Sequence, residues 1–261
     1  MEPITLHGQP LAGGALPAVC VPLVGRDADA LLAEVAAVAA EPPDLLEWRV
    51  DFFGAVADTA RVLDTAARIR QAAGVPLLFT RRSQREGGQP LALDEPGVVE
   101  LYRAVCAQGA ADIVDWEMAS EPAQLAEVRE SARAAGIALL LSFHDFDKTP
   151  PAAQLLERFR QAQALGADIA KVAVMPQRRS DVLVLLQATL QASEELRIPV
   201  AGMAMGALGA ASRLCGGEFG SALTFAVGQQ ASAPGQLPLQ ALRRGLAVLR
   251  GGGAGVGGGQ R

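Results

Sequence analysis

Lys171 is one of only two lysines in this 261-residue chain, the other being Lys148; every remaining cation is arginine. It sits in Asp168-Ile169-Ala170-Lys171-Val172-Ala173-Val174-Met175, an otherwise almost wholly apolar run that reads as a buried strand. Burial and nearby cations both lower an amine's pKa and leave a neutral nucleophile, the form that condenses with a ketone or aldehyde to a Schiff base. Arginine stays protonated and cannot do this chemistry, so a lysine retained in an arginine-rich chain points to a need for the amine itself. A lysine merely paired with a strand carboxylate is the alternative. His144, one of two histidines with His7, follows Ser142-Phe143. Imidazole titrates near neutrality and suits general acid–base work.

Other charges fall at suggestive places. Glu47, Arg49 and Asp51 alternate in Glu47-Trp48-Arg49-Val50-Asp51, and Asp115 and Glu117 alternate in the same way, so each set points to one side of its strand. Charge inside a buried strand is costly unless it is paired or functional. These residues therefore form either a structural ion network or part of a site. Arg82 and Arg213 can fork onto a carboxylate, or serve as surface cations. Arg81 and Arg82 are neighbours and must face opposite ways, so only one of them can face such a site.

These residues need elements to position them. Short apolar runs at 18–23, 45–51, 75–80, 113–117, 137–143, 169–174, 198–203 and 221–227 alternate with helical patterns at 28–40, 57–73, 96–108, 122–135, 152–165, 179–196, 208–214 and 239–249. Gly74, Gly109, Gly136 and Gly166 each follow a helical run as stop signals. Eight βα units with strands buried on both faces predict a (β/α)8 TIM barrel. An open doubly wound sheet is the rival, but no GxGxxG follows the first strand. Within a barrel, catalytic groups gather at the carboxyl ends of the strands, where Arg82, Glu86, His144 and Arg213 would all fall. The segment before Val19 is expected to form a short hairpin or arm over the opposite end of the barrel.

The expected organisation is one catalytic domain over 1–250, with a glycine-rich, disordered tail at 251–261. A formal charge of −5 with no basic stripe argues against nucleic acid as a partner. No apolar run is long enough to span a bilayer, and no secretory signal is visible, so a cytoplasmic enzyme is expected. Cys20, Cys106 and Cys215 are scattered and read as buried small hydrophobes. Neither a metal nor another cofactor is expected.

The ordered set of motifs resembles the type I 3-dehydroquinate dehydratases of the shikimate pathway. The resemblance is carried by Glu47-Trp48-Arg49-Val50-Asp51, Phe79-Thr80-Arg81-Arg82 with Glu86-Gly87-Gly88, Ser142-Phe143-His144-Asp145-Phe146, Lys171-Val172-Ala173, Met203-Ala204-Met205-Gly206, Ser212-Arg213 and Ser232-Ala233-Pro234-Gly235-Gln236. Each is weak alone, and together they run from about Val19 to Gln236. The resemblance implies dehydration of 3-dehydroquinate without a metal. Lys171 would form the Schiff base, His144 would move the protons, and Glu86 would orient His144. It further implies Arg213, Ser232 and Gln236 on the substrate carboxylate and Glu47, Arg49 and Arg82 on the ring hydroxyls. Met203, Met205, Phe225 and Ala233 would pack around the ring, in a homodimer. Pro22 stands where relatives of this family carry a serine, and Arg81 where they carry an apolar residue.

Two other readings compete. One is a Schiff-base aldolase acting on a phosphorylated sugar, with Gly206-Ala207-Leu208-Gly209 holding the phosphate. The other is a barrel that has lost activity and serves as a binding module.

Overall fold

A computed structural model describes residues 1–12 and 16–251. Of the tail expected at 251–261, only Gly251 falls within it, and residues 252–261 lie outside the described residues.

The chain opens with a hairpin, β1 (Ile4–Leu6) paired antiparallel with β2 (Gln9–Leu11). Its two turn residues, His7 and Gly8, both have positive φ, at 47° and 79°, the backbone that a tight two-residue hairpin requires. Then follow β3 (Ala18–Leu23), α1 (Ala28–Val38), β4 (Leu45–Arg49), α2 (Thr59–Ala73), β5 (Leu77–Thr80), α3 (Glu95–Ala107), β6 (Ile113–Glu117) and α4 (Pro122–Ala135). The second half adds β7 (Ala138–Asp145), α5 (Ala152–Ala164), β8 (Ile169–Val174), α6 (Arg179–Glu195), β9 (Val200–Ala204), α7 (Gly206–Cys215), β10 (Leu223–Val227), β11 (Leu237–Pro238) and α8 (Leu239–Leu249). Strands β10, β3, β4 and onward to β9 pair side by side, all parallel. The ring closes between β9 and β10 through the Val200–Ser221 bridge, with Ala222 N–H donating to the Val200 carbonyl at 2.7 Å. This is the expected (β/α)8 barrel.

Several boundaries differ from those the pattern suggests, each for a local reason. β4 stops at Arg49 because Val50–Phe52 turn into a single 3₁₀ turn, so Asp51 leaves the strand. β5 and β9 start late because Pro76 and Pro199 have no N–H for the ladder. β7 runs on to Asp145, which sets His144 inside the ladder opposite Ala173. β11 escapes sequence reading: two residues carry no periodicity, and Leu237–Pro238 pair with the end of β10 only because the preceding loop returns there.

The core has two shells. Inside the barrel, the residues at the amino ends of the strands are apolar: Leu45, Leu78, Ile113, Leu140, Ile169, Ala201 and Leu223 form one cluster, which Leu11 of the hairpin caps. Ile4 and Leu6 pack on the same cluster, and His7 Nε2 lies 3.0 Å from Asp112 Oδ1. The arm thus closes one end of the barrel, as the sequence suggests. Outside, between strands and helices, Phe53, Trp48, Phe79, Tyr102 and Trp116 form an edge-to-face chain with centroids 5.3, 5.6, 5.2 and 4.9 Å apart. Such pairs add about 0.5–1.5 kcal/mol each beyond their buried area. They stiffen the backs of β4, β5 and β6, the strands whose fronts carry buried charge.

Tyr102 does more than pack. Its hydroxyl accepts from Arg81 N–H and donates to the Asp115 carbonyl, both at 2.8 Å, tying the end of β5 to the middle of β6. Tyr102→Phe leaves both backbone groups unpaired in a dry interior. The expected loss is about 1–3 kcal/mol of stability, read by urea denaturation; an unchanged unfolding midpoint would show that the link carries no stability.

Candidate active site at the carboxyl ends of the strands

Because all eight strands point the same way, their later inward residues meet at the other end of the barrel. Above the apolar layer come Glu47, Thr80, Asp115, Ser142, Lys171, Met203 and Phe225, and above these Arg49, Arg82, Glu117, His144, Ala173 and Met205. Almost every polar group in the two layers is buried.

Arg82 organises them. The chain leaves β5 at Thr80, and alternation turns Arg81 outward to an ion pair with Glu95 on α3, while Arg82 turns inward. This decides between the two adjacent arginines. The Arg82 guanidinium donates to Asp115 Oδ2 at 2.7 Å, Ser142 Oγ at 2.8 Å and Glu117 Oε1 at 3.1 Å, and lies 3.5 Å from Glu86 Oε2. Burial alone would disfavour its charge, but Asp115, Glu117, Glu86 and Glu47 outweigh that and raise its pKa. The following loop folds back tightly: Gly88 N–H donates to Ser83 O at 2.8 Å, and any Cβ on Gly88 would fall inside the Arg82 carbonyl. Gly87, at φ +82°, faces the Phe146 ring with no room for a side chain. The Glu86-Gly87-Gly88 motif is therefore a packing requirement that delivers Glu86.

Glu86 Oε2 lies 2.8 Å from His144 Nδ1. Burial, then Arg82, Lys171 and Arg49, push His144 well below the usual imidazole range, so its ring is neutral near pH 7. Burial chiefly, helped by Glu117 and Asp115 against the pull of Arg82, pushes Glu86 up. The two partners thus have two states that differ by one proton. With Glu86 ionised, Nδ1–H donates to it and Nε2 presents a lone pair; with Glu86 protonated, its O–H donates to Nδ1 and Nε2 carries the hydrogen.

Lys171 stands across from this pair, one strand along. Its Nζ is 3.5 Å from Asp115 Oδ2, 3.6 Å from Glu47 Oε1 and 4.5 Å from the centre of the Phe225 ring. The nearest charged groups are carboxylates, the pairing that the sequence leaves open as the alternative for this lysine. Glu47 also accepts from Thr80 Oγ1 at 3.0 Å. Arg49 spends Nε and one terminal nitrogen on Asp51, at 2.8 and 2.7 Å, and turns the other to the Ser232 carbonyl at 3.3 Å.

Arg213, on α7, is 1% exposed, yet no carboxylate among the described residues lies within 4.0 Å of it. It donates only to the carbonyls of Pro234 at 3.3 Å and Phe225 at 3.5 Å, Nε has no partner, and burial lowers its pKa to about 10. A buried guanidinium with spare donors is a ready receptor for an anion. The loop after β10 lies over it: Pro234 O accepts from Gly206 N–H at 3.1 Å, and Gly235, at φ +78°, packs directly on the Gly206 backbone. Within that loop Ser232 N–H donates to Gln236 Oε1 at 3.0 Å, and Gln236 Nε2 to Ser232 Oγ at 3.2 Å.

One pocket is lined by Glu47, Arg49, Arg82, Glu86, His144, Lys171, Met203, Met205, Arg213, Phe225, Ser232, Ala233 and Gln236 together, every residue to which the resemblance gives a role; Asp51, Asp115 and Glu117, marked by alternation, do not line it. Phe146 and Ala173 join them without having been foreseen as lining residues. Ser142 also went unforeseen as a partner of Arg82, although its place two residues before His144 puts it on the same face. Pro22 is buried but does not line the pocket. The acidic residues here turn on Arg82 and Lys171, and among the described residues none cluster so as to hold a metal ion.

Comparison with known proteins agrees with this geometry. A family model described as type I 3-dehydroquinase matches residues 19–252. The 3-dehydroquinate dehydratase of Albidiferax ferrireducens is 54% identical over 250 residues, 95% of each chain. A crystal structure of the 3-dehydroquinate dehydratase of Geobacillus kaustophilus superposes with a TM-score of 0.93 at 50% identity, covering 97% of this chain and 98% of that one. The type I 3-dehydroquinate dehydratase of Clostridium difficile, crystallised with covalent modified comenic acid, gives 0.92 at 35% identity, over 97% and 100%. A buried lysine, a carboxylate-bound histidine and an unpaired arginine in one barrel mouth, together with likeness over nearly the whole chain, mean that this protein belongs to the type I 3-dehydroquinase family.

Proposed function

We propose that the chain is a hydro-lyase that removes water from 3-dehydroquinate to give 3-dehydroshikimate through a Schiff base on Lys171. The observation that carries this is the meeting, in one pocket, of the Lys171 amine with the His144–Glu86 pair, whose neutral ring can take and return a proton.

The chemistry balances at each step. The Lys171 amine, freed of one proton, adds to the C3 ketone, and that proton leaves with the carbinolamine oxygen as water to give a protonated imine, so one positive charge stands on each side of the step. The iminium withdraws electrons from the adjacent carbon, and His144 Nε2 removes the C2 proton with Glu86 ionised behind it. The resulting enamine expels the C1 hydroxyl, which His144 protonates as it leaves, and water then hydrolyses the iminium to free Lys171. Arg213 holds the substrate carboxylate, with Ser232 and Gln236 from the covering loop. Glu47, Arg49 and Arg82 face the ring hydroxyls, Arg49 through the nitrogen that Asp51 leaves free. Met203, Met205, Phe225 and Ala233 enclose the ring. In this reading the chain serves aromatic amino-acid biosynthesis through the shikimate pathway, as a cytoplasmic homodimer.

The aldolase alternative has less support. Its phosphate would need the amide groups that open α7, but Gly206 N–H is already bonded to Pro234 O and Gly209 packs against the Ala204 carbonyl. Arg213 and the covering loop suit a planar carboxylate.

Incubation with 3-dehydroquinate and borohydride, followed by peptide mass mapping, is expected to place a reduced adduct on Lys171; Lys171→Ala should give neither adduct nor turnover. No wild-type adduct, or an active Lys171→Ala enzyme, would sink the Schiff-base mechanism. His144→Ala is expected to keep forming the adduct while turnover falls by about 10²–10⁴, and normal turnover would reject histidine as the base. The raised pKa of Glu86 fixes the sign of a pH effect. As pH falls through that value, about 8, the pair takes up a proton that puts the hydrogen on His144 Nε2 and removes the base form, so the acid limb of kcat/KM should lie above pH 6.5. A limb below pH 6.5 counts against this assignment.

A further inference from the structure

Asp115 takes no part in the steps proposed above, yet it touches the reacting nitrogen. It is fully buried on β6 and is not part of the pocket lining. Its Oδ1 accepts from Ser142 Oγ at 2.6 Å, and its Oδ2 accepts from Arg82 at 2.7 Å and faces Lys171 Nζ at 3.5 Å. Burial favours its neutral acid, but Arg82, Lys171 and the Ser142 hydrogen bond overcome this and hold the carboxyl below the usual range. It is thus a permanent anion, shut away from water, aimed at the amine.

Condensation of an ammonium with a ketone keeps the positive charge on nitrogen and leaves one N–H there. If that proton is lost, the neutral imine withdraws electrons poorly and the adjacent C–H is no longer acidic. We infer that Asp115 is the counter-ion of the Lys171 iminium, accepting its remaining N–H and keeping the nitrogen positive while His144 takes the proton from carbon. The inference rests on the Schiff-base reading above. Glu47 lies almost as close, but its Oε1 also receives the Thr80 hydroxyl, and it stands in the pocket wall where substrate would compete for it. Asp115 acts from the dry side, where a charge is least screened.

Other charged or titratable groups face this pair: Glu47 and Arg49 from β4, Arg82 and Glu86 from the segment after β5, Glu117 from β6, His144 from β7 and Cys20 from β3. His144 and Cys20 are both held neutral by burial. Arg82 keeps Glu117 and Ser142 when Asp115 loses its charge. Neutralising Asp115 therefore removes one direct partner from Nζ and leaves the rest of the cluster paired.

The test is Asp115→Asn, which keeps the shape and removes the charge, with Ser142→Ala as a milder companion. Each is checked for a cooperative melt, and kcat is measured from acid to alkaline pH beside borohydride trapping with 3-dehydroquinate. An opposite charge at this range holds a group's pKa by about 1–3 units. The alkaline limb of kcat in Asp115→Asn should accordingly move toward acid by about one to three pH units, with turnover recovering as pH is lowered. Trapping should fall along the same limb, because hydride adds to the cationic iminium. Ser142→Ala should shift the limb the same way by less, and it decides the matter if Asp115→Asn does not fold. A merely structural role lowers turnover by one factor at every pH and leaves the limb in place; that result overturns the proposal. Absence of an adduct in the wild-type protein overturns the Schiff-base reading and this inference with it, whereas a wild-type adduct with an unmoved limb overturns this inference alone.

Discussion

A single guanidinium holds the working end of this barrel together. Buried at this end lie Glu47, Asp51, Glu86, Asp115 and Glu117, five carboxylates removed from water, against Arg49, Arg82, Lys171 and Arg213. Unpaired, such charges would oppose folding strongly. Arg82 reaches Asp115 and Glu117 on β6, Glu86 after β5 and Ser142 on β7 from one planar group, across three different segments of chain. Lysine could not replace it, because a point charge cannot fork to several acceptors. Arg82 thereby fixes the place of the two carboxylates that matter most for reactivity, Asp115 beside the amine and Glu86 behind the histidine, and holds the charge of Asp115.

The arrangement depends on strand direction. Eight parallel strands present their early inward residues at one end and their late ones at the other, so a strand that begins apolar and ends polar inside automatically separates a dry floor from a charged mouth. β4 runs Leu45, Glu47, Arg49; β6 runs Ile113, Asp115, Glu117; β7 runs Leu140, Ser142, His144; β8 runs Ile169, Lys171, Ala173. The hairpin over the apolar end and the loop at Ser232–Gln236 over the polar end then close the two openings. The aromatic chain behind β4, β5 and β6 resists sliding of the strands that bear the most charge.

Arg213 differs in kind from Arg82. One is saturated by protein carboxylates, and the other keeps its donors spare, with a pKa lowered by burial and relieved only by carbonyls. The contrast separates a cation that builds the site from one whose pairing is left for a ligand.

Much of this was legible in the chain itself. Period-2 alternation set Glu47 with Arg49 and Asp115 with Glu117 on common faces, helical periods and glycine stops marked the βα units, and the isolation of Lys171 in an apolar run marked it as unusual. These are local properties, fixed by backbone geometry within a few residues. The choice of Arg82 over Arg81 needed the observed end of β5. The 3₁₀ turn that takes Asp51 out of the strand, the two-residue β11, and which carboxylates stand beside Lys171 were not legible. Each depends on residues far apart in sequence: Asp115 meets Lys171 across 56 positions, Arg82 meets Ser142 across 60, and Arg49 meets Ser232 across 183. Alternation tells which side of a strand a residue faces but not what stands opposite, because barrel register and loop closure decide that. The sequence by itself determined which groups are available and which way they point; the tertiary structure decided which charges touch, and so which amine, imidazole and carboxylates carry which proton.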